Sequence, residues 1–146
     1  LAHPERIAWL MADLSLVEAL CDAGARCQVT AASLSGRFGR RLEDTAFQLV
    51  DRGLCHLVAS DAHDLELRPP RLSAARDRVA DTWGDDAART LFYDHPRAVL
   101  DASPFRELPR RVEETSAADG GQRSSPGPLE RLLPFLSRPR RRSPAP

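Results

Sequence analysis

Ser60-Asp61-Ala62-His63, with Arg68 shortly after it, and His3-Pro4-Glu5-Arg6 far upstream are the residues of this 146-residue chain whose types and spacing could do chemistry. In an extended stretch, residues two apart point to the same side, so the Asp61 carboxylate and the His63 imidazole can converge on one cation. Imidazole nitrogen and carboxylate oxygen suit manganese, iron or zinc, which lower the pKa of a bound water enough to supply hydroxide near neutral pH. Arginine nearby suits phosphate, because a planar guanidinium grips two oxygens at once. Taken alone, Asp61-x-His63 is a weak signal and reads more readily as a loop aspartate capping a turn beside an exposed histidine.

The elements that would position these residues alternate between strand and helix. Leu54 to Ala59 reads as a short buried strand, so the Asp-x-His pair emerges where that strand ends, the place where α/β sheets keep their chemistry. Apolar residues at helical spacing predict helices over 13–23, 41–52 and from Leu72 to Trp83, with Gly24, Gly53 and Gly84 as stops. Cys27-Gln28-Val29-Thr30 reads as a strand, 31–39 as a loop, and 85–93 and 96–101 as two shorter helices. Such alternation implies right-handed βαβ units and a parallel sheet. Only about three strands are legible, counting a stub at Leu1-Ala2, too few to close a barrel. With no initiating methionine, the chain reads as the C-terminal portion of a longer protein.

Charge divides the chain. Residues 1–102 carry 12 arginines against 16 acids, and residues 103–146 carry 9 against 5. Every basic residue is arginine, which reads as the codon bias of a GC-rich bacterial genome and not as a nucleic-acid signal. From Ser103 onward proline, serine, glycine and arginine dominate without a sustained period, predicting a disordered basic tail. Its stretch Leu129 to Leu136 before Arg138 could touch anionic lipid or an acidic partner, although Pro134 breaks the helix that role needs. No apolar run approaches the roughly 20 residues of a membrane span, and no secretory signal is present, so the expected location is the cytoplasm. Cys21, Cys27 and Cys55 form no Cys-x-x-Cys pair and read as buried thiols.

His3-Pro4-Glu5-Arg6, Gln28 through Gly39, and Ala59-Ser60-Asp61-Ala62-His63 through Arg68-Pro69-Pro70 resemble, in order and spacing, the bacterial capsular-polysaccharide tyrosine phosphatases of the polymerase and histidinol phosphatase (PHP) superfamily. The resemblance covers residues 1–102. It implies a distorted (β/α)7 barrel with several divalent ions, usually manganese, that activate water or hydroxide to attack phosphotyrosine on the tail of a bacterial tyrosine kinase. By this resemblance His3, Asp61 and His63 match metal ligands, and Arg6 and Arg68 match arginines that hold the substrate phosphate. The family's N-terminal His-x-His pair, a further Asp, a further His and a bridging Glu would all precede Leu1. No cysteine here is followed six residues later by arginine, so the phosphate loop of thiol-based tyrosine phosphatases is absent.

Two other functions stand beside this one: a PHP-type phosphatase of a small monoester such as histidinol phosphate, and a non-catalytic remnant whose tail is its interaction surface. The oligomeric state is open. His56 reads as a packed or hydrogen-bonded strand residue, and His95, before Pro96, as a cap or surface residue. Glu5 is expected to orient Arg6 or face solvent, and the Ser33 to Gly39 loop to shape the pocket mouth.

Overall fold

The computed structural model describes residues 1–106; most of the tail expected from Ser103 onward lies outside the described residues. After a one-residue bridge at Ala2 come a 3-10 turn (Pro4–Arg6), α1 (Ala8–Ala12) and α2 (Ser15–Asp22). Then follow β1 (Gln28–Thr30), α3 (Ala31–Leu34), α4 (Arg40–Asp51) and β2 (Leu57–Ala59). The chain continues through α5 (Ser73–Trp83), α6 (Asp85–Arg89), a π-helical turn (Thr90–Asp94) and α7 (His95–Leu100).

The sheet is parallel, as the alternation of elements requires, with β1 at its centre. On one side β1 pairs in register with β2, Gln28 opposite Leu57, Val29 opposite Val58 and Thr30 opposite Ala59. On its other side Gln28 bonds the amino-terminal stub: its carbonyl accepts from the His3 amide at 2.8 Å and its own amide donates to the Leu1 carbonyl at 2.9 Å. Fully buried Leu10, Val17, Val29, Leu34, Leu49, Leu54, Val79 and Leu91 join sheet and helices in one core. The helices expected over 13–23, 41–52 and 72–83 appear within a residue or two at each end, where fraying and caps decide the boundary.

Three expectations change. The strand read from Leu54 pairs only from its second half, because the Leu54 and Cys55 amides both donate to the Leu49 carbonyl and close the end of α4. The segment read as a loop from Ala31 opens with α3, since extended Thr30 leads directly into the good helix former Ala31. The helices read over 85–93 and 96–101 are joined by the π-helical turn, which brings His95 inward. Phe47 packs edge-on against Trp83 at 5.0 Å, and Trp83 donates its indole N–H to Asp51 at 2.8 Å, locking α4 to α5.

A candidate active site at the carboxyl ends of the strands

Parallel strands carry the predicted residues to one edge of the sheet. The stub ends at His3 and β2 runs out through Ser60 to Asp61, and both His3 (φ 41°) and Asp61 (φ 52°) adopt the left-handed conformation that non-glycine residues rarely hold. Such backbone persists where the surroundings over-determine it, and such positions cluster at functional sites. One turn after His3, Arg6 swings across β1 and its guanidinium donates to Asp61 Oδ2 at 3.0 Å. Arg68 donates to the same oxygen from the far side of the loop. Two arginines from distant parts of the chain thus focus on one point of negative charge.

The loop that presents Arg68 is tied by its own backbone. The Asp64 carboxylate accepts from the amides of Glu66, Leu67 and Arg68, and the His63 amide donates to the Arg68 carbonyl at 3.0 Å. The Arg68 amide above all, with Glu66 and Leu67 beside it, holds the Asp64 carboxyl below its usual range. His63 is exposed, with Nδ1 2.9 Å from the Asp61 carbonyl and 3.9 Å from Asp61 Oδ1. Donation from Nδ1–H to that carbonyl leaves Nε2 with the lone pair, the tautomer that a metal ligand needs.

Beside the arginines lies a cleft of about 350 Å³ lined by Ser35, Arg37, Phe38, Ser60, Arg68 and Arg71 among others. Arg6 stacks over the Phe38 ring at 5.0 Å, and Arg37 donates to the Leu67 carbonyl at 3.1 Å, so the Ser33 to Gly39 segment does form part of the cleft wall. Phe38 and Arg37 are functional candidates that motif reading passed over. Their signal was an aromatic and a cation inside a glycine-flanked turn, which means little until Arg6 is seen to lie on the ring.

Arg6, Asp61, His63 and Arg68 therefore converge. His3 stands at the same edge, but two strand spacings, about 9–10 Å of sheet, separate the stub from β2. Its Nδ1 is buried and has no hydrogen-bond partner, an orphan that a Lewis acid would satisfy. Nitrogen from His3 and His63 with oxygen from Asp61 is a donor set that fits a divalent transition metal. Among the described residues, however, the donors gathered within 4.8 Å of one another are Cys21, Cys27 and His56, at the opposite end of the sheet.

Two other residues depart from expectation. Glu5, expected to orient Arg6 or face solvent, is fully buried: its Oε1 accepts from the Thr30 amide at 3.0 Å and the Ser33 hydroxyl at 2.9 Å, anchoring the 3-10 turn to the start of α3. A carboxylate at a helix start answers the unsatisfied amides there. His95, expected as a cap or surface residue, is 2% exposed and stacks on Phe105 at 4.7 Å. Its ring nitrogens face the carbonyls of His56 and Arg106, because residues 103–106 fold back over α7. His56 is hydrogen-bonded in the body, as its strand position predicts.

Fold and site together define an α/β protein whose parallel strands deliver histidine, carboxylate and arginine to a cationic cleft. Residues 1–101 match the model of the family described as capsular polysaccharide synthesis, CpsB/CapC. The tyrosine-protein phosphatase YwqE of Bacillus subtilis is 32% identical over 113 residues, 77% of this chain and 44% of that protein. The tyrosine-protein phosphatase CpsB of Streptococcus pneumoniae is 34% identical over 105 residues, 68% of this chain and 43% of that one. A crystal structure from the pair YwqE and CpsB, described as metal-dependent tyrosine phosphatases, aligns with TM-score 0.71 at 31% identity, covering 75% of this chain and 44% of that chain. The chain belongs to the CpsB/CapC capsular polysaccharide synthesis family. It spans less than half the length of these relatives.

Proposed function

We propose that this chain forms the carboxyl-terminal part of a PHP-type (β/α)7 barrel phosphatase that hydrolyses phosphotyrosine on the tail of a bacterial tyrosine kinase, in the cytoplasm, and thereby regulates capsule or exopolysaccharide synthesis. The observation that carries this reading is the convergence of Arg6 and Arg68 on one anionic point beside an aromatic-walled cleft. Guanidinium groups approaching from two sides neutralise the charge spread over phosphoryl oxygens and orient the ester, which is most of what phosphoryl transfer asks of a protein. The Phe38 face and the cleft beside it offer room for a phenyl ring. His3, Asp61 and His63 would hold divalent metal, with manganese the expected ion and iron or zinc compatible with the donors. Such ions supply Lewis acidity and activate a water. Asp61 would orient both arginines, and its carbonyl, accepting from His63 Nδ1–H, would hold the imidazole in place. The other ligands come from the part of the relatives that this chain does not span.

The test is manganese-dependent hydrolysis of a phosphotyrosyl peptide, with histidinol phosphate as the rival substrate. It is run on the chain alone and on the chain joined to the part of a relative such as YwqE that it does not span. Turnover of the peptide by the longer protein, abolished by chelator and by Asp61→Ala, is the expected result. Preference for histidinol phosphate, or peptide turnover that survives Asp61→Ala, would overturn the reading.

A further inference from the structure

The sheet has a second end. Cys27 stands immediately before β1 and His56 immediately before β2, so the parallel pairing of the strands brings both to the amino ends, away from the arginine cleft, where Cys21 in the last turn of α2 meets them. The Cys21 and Cys27 sulfurs are 3.6 Å apart, and both lie within 4.8 Å of a ring nitrogen of His56. Zinc–sulfur bonds of about 2.3 Å at a tetrahedral angle put two sulfurs about 3.8 Å apart, so the dithiol already has close to the edge length of a zinc site. The His56 ring is held beside it: Nδ1 faces the Cys27 amide at 3.2 Å and the Leu54 carbonyl at 3.1 Å.

We propose that Cys21, Cys27 and His56 form a thiophilic metal site for zinc, distinct from the metal centre of the phosphatase reading and independent of it. Two thiolates and an imidazole are a soft donor set that favours zinc over manganese. Ligation releases the two thiol protons to solvent and leaves the fourth position for a water. Cys21 and Cys27 are buried whereas His56 is partly exposed, so the ion enters from the His56 side. A bound ion would tie α2 to both strands at the end where the sheet pairing begins.

The discriminating experiment uses the full 146-residue chain, reduced and stripped by chelator, titrated with cadmium as the spectroscopic stand-in for zinc. A thiolate-to-metal charge-transfer band that saturates at one ion per chain is expected. It should persist in Asp61→Ala and be lost in Cys21→Ser. X-ray absorption on the zinc-loaded wild-type chain needs no variant and should show two sulfur neighbours at about 2.3 Å. A first shell of oxygen and nitrogen only, or a band that survives Cys21→Ser, overturns the proposal. So does conversion of the two thiols to a disulfide under air with no metal uptake by the freshly reduced protein.

Discussion

Asp61 is where the chemistry and the local structure meet. Its carboxylate accepts from both Arg6 and Arg68; in the proposed function it would prepare these guanidinium groups for an anion and offer an oxygen to a metal. Replacing Arg68 by Lys keeps the charge but loses the planar fork. If the proposed function holds, in this chain completed by the part of a relative that it does not span, this should cut kcat/KM for a phosphotyrosyl peptide by roughly 100-fold, as loss of one oriented charge-stabilising donor commonly does. A variant with unchanged kcat/KM would remove Arg68 from the site. Glu5 acts differently, through the fold. Glu5→Ala strands the Thr30 amide and the Ser33 hydroxyl in the core. It should lower unfolding free energy by about 3 kcal/mol in urea titration, with Glu5→Gln losing clearly less.

Among the elements, the 61–68 loop and the turn before α4 set the cleft. Asp64 holds the loop by accepting three amides, and its carboxyl titrates lower folded than unfolded. A group of that kind adds stability above its unfolded pKa and loses it as pH falls through the folded value. The loop should therefore stay closed above about pH 4 and loosen below it. Amide exchange at Glu66 and Leu67 would rise on acidification in the wild type but would already be fast, and far less sensitive to acid, in Asp64→Asn. On the opposite wall, Gly36 has φ +74°, and a Cβ there would come within 3.3 Å of the Glu43 carboxylate that pairs with Arg78. Gly36→Ala should cost about 1–2 kcal/mol, read as a lower thermal midpoint.

At the scale of the molecule, the described residues hydrogen-bond the stub and β2 chiefly through the edges that face β1. Unpaired strand edges invite pairing with another chain. The isolated chain should self-associate in light scattering as concentration rises, and fusion to the part of a relative that it does not span should suppress this; a monodisperse monomer at every concentration would show the edges to be covered. Residues 103–106 are a second feature of the whole. Phe105 lies on His95 and Arg106 forms a paired bridge to Asp86. Phe105→Ala should lower the thermal midpoint by several degrees, since about 1 kcal/mol moves a domain of this size by about 4–8 °C.

Local pattern determined a good deal. Apolar spacing and the stop glycines marked α2, α4 and α5, alternation implied a parallel sheet, and the motifs at His3, Gln28 to Gly39 and Asp61 to Pro70 marked the family. These are short-range signals, written in residues a few positions apart. Tertiary structure decided what depends on distant partners. Glu5 is buried because Thr30 and Ser33 come to it, His95 is buried because residues 103–106 fold back, and Leu54 leaves the sheet because Leu49 takes its amide. Cys21, Cys27 and His56 meet for the same reason. Parallel pairing aligns the starts of two strands separated by two helices, and this carries His56 to the Cys21–Cys27 pair across a distance in sequence that no local spacing records.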